Sequence, residues 1–384
     1  MAFFLSLPLV FLSLAASYLF VVAIWSRKEI RPLLDMEPNK RFAVIVPAHD
    51  EQETIGRTLR SLKKMSYPAE LFEVIVIADN CTDRTAIVVR ESGFRCLERN
   101  DETLRGKGFA LQYAFSVLLR ENFDAFAVVD ADTVVDVNFL NVMNACMMQG
   151  DEVAQSRYGV TNPDDTPLSY MLAVGNTIEN DLFLKGREAF GFPAILRGNG
   201  MCFAAKVLRD HPWEASSVVE DTEYSLYLLR KGVNIRLVPQ MSVNAPIPGT
   251  LEQASGQRIR WASGNSRLTK QASIELIRDG IRMRSVPFVE MGWSLLIRSK
   301  PLLIFLSLIL FILCALAQIH IGWSLALVVF FLAYLLAGMV LLGLDRARLR
   351  LACCAPFYLV WLTCVSLLGL TGFRSGDWVR TKRS

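Results

Sequence analysis

A chain of 384 residues has room for one large or two ordinary domains, yet 52% hydrophobic residues and a mean hydropathy of +0.33 exceed what a soluble domain of that size needs. The net charge is only +4 and the basic residues gather beside apolar tracts, which excludes a nucleic-acid footprint and suits anionic membrane lipids. Eight cysteines without C-x-x-C spacing, and His49, His211 and His320 far apart in sequence, indicate neither a disulfide framework nor a zinc cluster; a reducing cytosol suits them.

Residues 1–25 carry no charged side chain, lack a positive n-region, and are followed at once by Arg27, Lys28 and Arg31. That asymmetry reads as a signal-anchor helix with its C-terminal side in the cytosol rather than a cleaved leader. Residues 1–40 then form a transmembrane anchor with a basic linker, and residues 41–285, mixed in polarity, form one cytosolic α/β domain. Within it Phe42-Ala-Val-Ile-Val46 is an apolar run closed by Pro47, the signature of a buried strand in a mainly parallel sheet. Ile55, Leu59 and Leu62 recur at helical spacing behind Thr54. Glu73-Val-Ile-Val-Ile77 is a second strand ending in Asp79-Asn-Cys-Thr-Asp83. Phe94-Arg-Cys-Leu97 is a third, and it leads through Arg105-Gly-Lys107-Gly into another helix. A fourth strand over 125–129 delivers Asp130 and Asp132. Strands and helices in alternation imply βαβ units whose ligands bind outside the carboxyl ends of the strands, so Glu51, Asp79, Asp130 and Asp132 should line one crevice.

Two carboxylates one residue apart at a strand's end repel, and a divalent cation relieves them; an isolated D-x-D is equally a solvated turn. The absence of G-x-G-x-x-G after the first strand and of any P-loop pattern argues against dinucleotide oxidoreductases and P-loop NTPases. Lys107, between two glycines at a helix start, suits a phosphate, or is simply a solvated lysine. Gly198-Asn-Gly200 is either a loop that lets backbone approach a ligand or a plain turn. Glu220-Asp221 opens a helix, where acidic residues also serve as caps. Gln257, Arg260 and Trp261 share a helix face by i, i+3 and i+4 spacing, suited to a diphosphate and a sugar ring, or to a membrane surface.

Pro47-Ala-His-Asp-Glu51, Asp79 with Asp83, Arg105-Gly-Lys107-Gly, Asp130-Ala-Asp132, Glu220-Asp221 and Gln257-Arg-Ile-Arg260-Trp261 occur in the order found in glycosyltransferase family 2. Over residues 41–265 the chain resembles that family's membrane-bound branch, which includes cellulose, chitin and hyaluronan synthases and ceramide glucosyltransferase. The resemblance implies a GT-A fold, a nucleotide-sugar donor and Mg²⁺ or Mn²⁺. It further implies that Glu51 and Asp79 contact uracil and ribose, Lys107 the diphosphate, Asp130 the ribose and metal, and Asp132 the metal-bound diphosphate. Asp221 corresponds to the catalytic base, Gln257 and Arg260 to the holders of the leaving diphosphate, and Trp261 to the platform under the acceptor sugar. Trp378, Thr381 and Arg383 resemble a tail element of several members. Two positions depart from the family pattern: Asp50 stands where Asn is usual, and Ala78-Asp79-Asn80 where Asp-Asp-Gly is frequent.

The expected activity is inverting transfer of a sugar from a UDP-sugar to a lipid-linked or glycan acceptor at the inner (plasma) membrane, in envelope or exopolysaccharide synthesis. Processive polysaccharide synthesis is the alternative within that chemistry, and a non-catalytic nucleotide-binding sensor or scaffold is the alternative outside it. Residues 286–384 should supply an interfacial helix over 286–297, a two-helix hairpin over 301–344 turning near His320, a further apolar segment over 351–373 and a basic tail. Counting spans puts that tail outside, whereas its Arg and Lys content favours the cytosol.

Overall fold

The computed structural model describes residues 2–215 and 217–371; the tail element at Trp378, Thr381 and Arg383 lies outside the described residues. The uncharged N-terminal tract is one helix of 24 residues, α1 (Ala2–Trp25). Strands and helices then alternate as β1 (Phe42–Ala48), α2 (Ile55–Leu62), β2 (Phe72–Asp79), α3 (Thr85–Glu91), β3 (Arg95–Arg99), α4 (Lys107–Leu118) and β4 (Ala125–Val128). Next come β5 (Val134–Val135), α5 (Phe139–Met148), β6 (Val153–Val160), α6 (Pro167–Thr177), a π-helical stretch (Ile178–Leu184) and α7 (Lys185–Ala189). β7 (Met201–Ala204), α8 (Ala205–Asp210), α9 (Glu220–Arg230) and β8 (Ile235–Ala245) complete the sheet-forming part. The remainder is helical: α10 (Leu251–Met283), α11 (Val286–Leu296), α12 (Lys300–Ala317), α13 (Ile321–Leu342), α14 (Arg346–Ala352) and α15 (Ala355–Leu370).

Two compact units result. The first holds the eight-stranded sheet, in the order β3-β2-β1-β4-β7-β6-β8-β5, with α2–α5, α8 and α9. β3, β2, β1 and β4 run parallel, β7 is antiparallel to both of its neighbours, β6 pairs parallel with β8, and β5 closes the edge antiparallel. This is the mixed α/β sheet expected of a GT-A fold. Parallel strands need both faces covered, and here alternate residues of one strand enter different cores. Ala125, Ala127 and Val129 pack with Ile55 and Leu59 of α2 and with Phe139 and Met143 of α5. Phe126 points to the other face, where its ring meets Phe115 of α4 edge-on at 5.9 Å. Phe203, Trp213 and Tyr224 of α9 continue that aromatic layer. Helices α4 and α9 therefore share a face.

The second unit gathers α1, α6, the π-helical stretch, α7 and α10–α15. α1, α12 and α13 are long and apolar enough to cross a membrane. α12 and α13 form the expected hairpin, turning through left-handed Gln318 and His320. α11, at 11 residues, is the short apolar helix expected over 286–297. The last apolar segment is broken: α14 and α15 meet at 48°, as a fourth, bent span or a re-entrant loop.

Candidate active site

In the sheet unit three of the expected residues stand at the carboxyl ends of adjacent parallel strands, because β2, β1 and β4 are neighbours. Asp79 is the last residue of β2, Glu51 lies in the loop after β1, and Asp130 in the loop after β4. The loops after β1 and β2 are tied through Asp50. Its carboxylate accepts the backbone N–H groups of Thr82 at 2.7 Å and Asp83 at 3.1 Å. Burial raises the Asp50 carboxyl, but these N–H donors outweigh it and hold it below the usual range. Glu51 accepts from the Thr54 hydroxyl, while its N–H donates to Thr85 Oγ1 at 2.8 Å.

Both departures from the family pattern fall where the backbone is left-handed, Asp50 at φ 53° and Asn80 at φ 50°. Asp and Asn are the non-glycine residues that best tolerate this conformation, so Asn80 can hold a turn that otherwise favours glycine. Asp79 is nearly inaccessible and its Oδ1 accepts from Arg99 Nη1 at 2.6 Å. Its Oδ2 is buried without a hydrogen-bond partner, an acceptor left open.

The second cluster assembles around Gly198. Gly106, at φ 125°, caps α4, so Lys107 opens that helix as its flanking glycines suggested. Lys107 Nζ donates to Asp130 Oδ1 and, at 2.5 Å, to the Gly198 carbonyl. Gly198 is itself left-handed at φ 77°, and a Cβ there would lie 3.4 Å from both Lys107 Nζ and Asp221 Oδ2. Asp221 is in the first turn of α9, adjoining buried Glu220. Burial pulls the Lys107 ammonium down, but Asp130, Glu220 and Asp221 outweigh it and keep the group charged. Burial first, and then the neighbouring Asp221, push the Glu220 carboxyl up to about 8.

Asn199 Oδ1 accepts the Asp130 N–H at 3.1 Å while Asn199 Nδ2 donates to Thr133 Oγ1 at 2.7 Å, bracketing the acidic loop. Gln155, fully buried on β6, donates to the Asn199 carbonyl at 2.8 Å and accepts from the Arg197 N–H at 2.8 Å. Ser225 of α9 links Asp221 to the same loop, donating to the Asp221 carbonyl and accepting the Leu196 N–H. Arg99, Gln155 and Ser225 escape sequence reading, whereas Asn199 lies in the Gly198-Asn-Gly200 loop it singled out, without its bracketing role. The one visible signal is Gln155, a polar residue inside an otherwise apolar strand.

Asp132 is buried, and its carboxylate accepts from Thr133 Oγ1 at 3.4 Å. Asp130, Glu220 and Asp221 bring carboxylates to the cluster in which Lys107 is the lysine, with Asp132 two residues along the same loop, and these hard oxygen donors are of the type that Mg²⁺ or Mn²⁺ takes. Among the described residues, the acidic group with metal-like mutual distances is instead Asp50, Cys81 and Asp83, whose carboxylates are already taken up by N–H and O–H donors of the two loops. Gln257, Arg260 and Trp261 lie on α10 in the other unit, with Trp261 exposed and Ile259 between them buried.

A mixed sheet carrying acidic loops at the carboxyl ends of its parallel strands defines a GT-A domain. The family model described as "Glycosyltransferase like family 2" matches residues 38–264, and the chain belongs to that family. It is 25% identical over 240 residues to the probable glycosyltransferase YdaM of Bacillus subtilis, covering 60% of this chain and 56% of that protein. It is 26% identical over 232 residues to the beta-monoglucosyldiacylglycerol synthase of Nostoc, covering 58% of this chain and 48% of that one. With the poly-beta-1,6-N-acetyl-D-glucosamine synthase of Staphylococcus aureus it shares 27% identity over 255 residues, 62% of this chain and 59% of that protein. The chain thus spans about half the length of the curated relatives it matches. The fold is also that of a mannosyltransferase from Pyrobaculum calidifontis solved with GDP-Man and Mn²⁺, with a TM-score of 0.60 over 97% of each chain at 18% identity.

Proposed function

We propose that this protein is an inverting glycosyltransferase that moves a sugar from a UDP-sugar to a lipid-linked or glycan acceptor at the plasma membrane, with its sheet unit in the cytosol. The observation that carries this reading is the pairing of a carboxylate and an ammonium, Asp221 Oδ2 and Lys107 Nζ, on either side of a glycine whose missing side chain leaves the space between them open. A binding module needs the ammonium but has no use for the carboxylate. Names of relatives acting on a glucosyl lipid and on a polysaccharide support a membrane-associated acceptor.

In this mechanism Asp221 removes the proton from the acceptor hydroxyl, whose oxygen attacks the anomeric carbon as the bond to UDP breaks on the opposite face. Lys107 stabilises the charge growing on the departing diphosphate, and its position is fixed beforehand by Asp130 and the Gly198 carbonyl. Asp130 and Asp132 would hold Mg²⁺ or Mn²⁺, which when bound supplies Lewis-acid neutralisation of the diphosphate. Asp79 Oδ2 is the acceptor offered to the nucleobase, and Glu51 serves the donor's uridine. Gln257, Arg260 and Trp261 keep the roles implied by their motif. Domain limits of 1–40, 41–285 and 286–384 are retained as the working division for truncation.

The test is incubation of membranes containing the protein with a panel of UDP-sugars, with and without Mn²⁺, followed by identification of the labelled product. A single labelled lipid or glycan that requires the divalent cation is expected. If no donor is hydrolysed or transferred, the protein is a nucleotide-binding sensor rather than an enzyme.

A further inference from the structure

Arg99 ends β3 as Asp79 ends β2, and the two residues are register partners in the sheet. Both side chains are almost wholly buried, at 9% and 3% exposure. Arg99 Nη1 donates to Asp79 Oδ1 at 2.6 Å, and Asn80 Nδ2 adds a second donor to the same oxygen at 3.2 Å. Asp79 Oδ2 is buried as well and has no hydrogen-bond partner. The carboxylate is therefore divided into one saturated oxygen and one open oxygen. An ionised carboxylate offers about four lone-pair sites, so a buried oxygen left empty calls for a donor from a ligand.

The guanidinium is not free to leave Oδ1. Its Nη2 donates to Asp101 Oδ2 at 3.1 Å and to the Leu104 carbonyl at 2.7 Å. Asp101 is held in turn: its other oxygen accepts the N–H groups of Thr103 and Leu104 at 2.9 Å each, and its own N–H donates to Asn80 Oδ1 at 2.8 Å. The Asn80 N–H closes the set on the Arg99 carbonyl at 2.7 Å. A guanidinium fork bound on both arms has fixed geometry, and swinging one arm away strands a buried charge. Asn80, which departs from the family pattern, thus belongs to the arrangement that holds Arg99 in place.

Nucleobases differ in what they bring to a single open acceptor. Uracil presents one N–H between two carbonyl oxygens. Guanine presents N1–H and the N2 amino group side by side, a pair that a carboxylate takes with both of its oxygens. Hypoxanthine is guanine without that amino group. With Oδ1 reserved, the second guanine donor meets no acceptor in a buried place, and a stranded donor costs ~5–100-fold in affinity.

We propose that Arg99 sets the nucleobase specificity of the site: it reserves one oxygen of Asp79, so that the other takes the single N–H of uracil and guanine is rejected. The assignment rests on the reading of Asp79 as the nucleobase contact, and it names the residue that decides which base enters. Arg99 acts through Asp79 and is a positioning residue.

The test is calorimetric binding of UDP to the full chain in detergent with Mn²⁺ and no acceptor, with GDP and inosine diphosphate as competitors, so that no turnover is required. Wild type should bind UDP, and should bind inosine diphosphate at least ~5-fold more tightly than GDP, since these two differ only in the amino group. Arg99→Met frees Oδ1, and GDP should then gain ~5-fold or more relative to both other nucleotides. A role in stability alone would weaken all three and leave their ratios unchanged. The thermal midpoint identifies a variant that does not fold, in which case the order of the two purines on wild type decides by itself. GDP binding wild type as tightly as inosine diphosphate overturns the proposal, as does an Arg99→Met variant that keeps the wild-type ratios. If none of the three binds, the donor reading and the Arg99 assignment fall together. If they bind in the expected order and no sugar is transferred, the transfer reading falls and the Arg99 assignment stands.

Discussion

Gly198 separates the ammonium and the carboxylate that the proposed mechanism uses, and its conformation can be tested directly. Alanine at φ 77° carries a left-handed penalty of ~1–2 kcal/mol and places a methyl between Lys107 and Asp221. Gly198→Ala should therefore lower stability by about that amount in denaturant titration and reduce turnover by more than the stability loss explains. Asp221→Asn keeps the shape of the site and removes the base. UDP affinity should stay near wild type while transfer falls by ~10²–10⁴-fold, and turnover close to wild type would remove Asp221 from the mechanism. Glu220 gives a pH signature. With a folded-state value of about 8 against an ordinary 4.5, the folded protein keeps a proton that the unfolded chain releases between those values. Its stabilising contribution is full below about 4.5 and is lost as pH rises through 8. In chelator, the thermal midpoint of the wild type should fall relative to Glu220→Gln between pH 5 and 9; parallel curves would show that Glu220 titrates normally. The residue types at these positions were visible in the motifs. Their partners were not, because Arg99, Gln155 and Ser225 reach the site from strands and a helix distant in sequence from the groups they touch.

At the scale of elements, the helix starts position the candidate groups. Lys107 and Asp221 each occupy the first turn of a helix, α4 and α9, and both helices are anchored on one face of the sheet by Phe115, Phe203, Trp213 and Tyr224. The alternation of apolar runs with helical spacing was enough to expect β1, α2, β2, β3, α4 and β4 within a few residues of where they lie. The antiparallel β7 and the pairing of β6 with β8 were not legible, since cross-strand partners 46 to 85 residues apart leave no periodic trace in either segment. In the helical unit, the Arg187–Glu290 pair joins α7 to α11. Glu290→Ala leaves a guanidinium buried without its carboxylate and should cost ~3–5 kcal/mol in unfolding experiments, whereas Arg187→Met added to it should restore most of that loss.

The whole molecule raises the question of where its end lies. α15 runs alongside α10, with Trp361 Nε1 donating to Ser255 Oγ at 3.0 Å, a Cβ on Gly369 placed 2.5 Å from Ala262, and Lys270 Nζ reaching the Leu370 carbonyl at 3.1 Å. α10 carries Arg258, Arg260, Arg267, Lys270, Arg278 and Arg282 and cannot lie in hydrocarbon. A 16-residue helix packed along it is ~24 Å long, short of the ~30 Å bilayer core, which favours a re-entrant α14–α15 over a fourth span. In a background without native cysteines, cysteine introduced at Ser384 should then be labelled from the same side of the membrane as cysteine at Arg350. Labelling from opposite sides would make α15 a span. Labelling from the same side would resolve the conflict between counting spans and following the basic tail in favour of the positive charges.

What the sequence determines by itself is whatever depends on local periodicity and on residue type: uncharged tracts that demand lipid, apolar runs that become strands, and motifs in a family's order. The tertiary structure alone decides which groups meet. It brings Asp221 to Lys107 over Gly198, leaves Asp79 with one free oxygen beside Arg99, and buries Arg187 against Glu290. Each of these contacts joins segments far apart in the chain, and their cost in buried charge is offset only by partners that folding supplies.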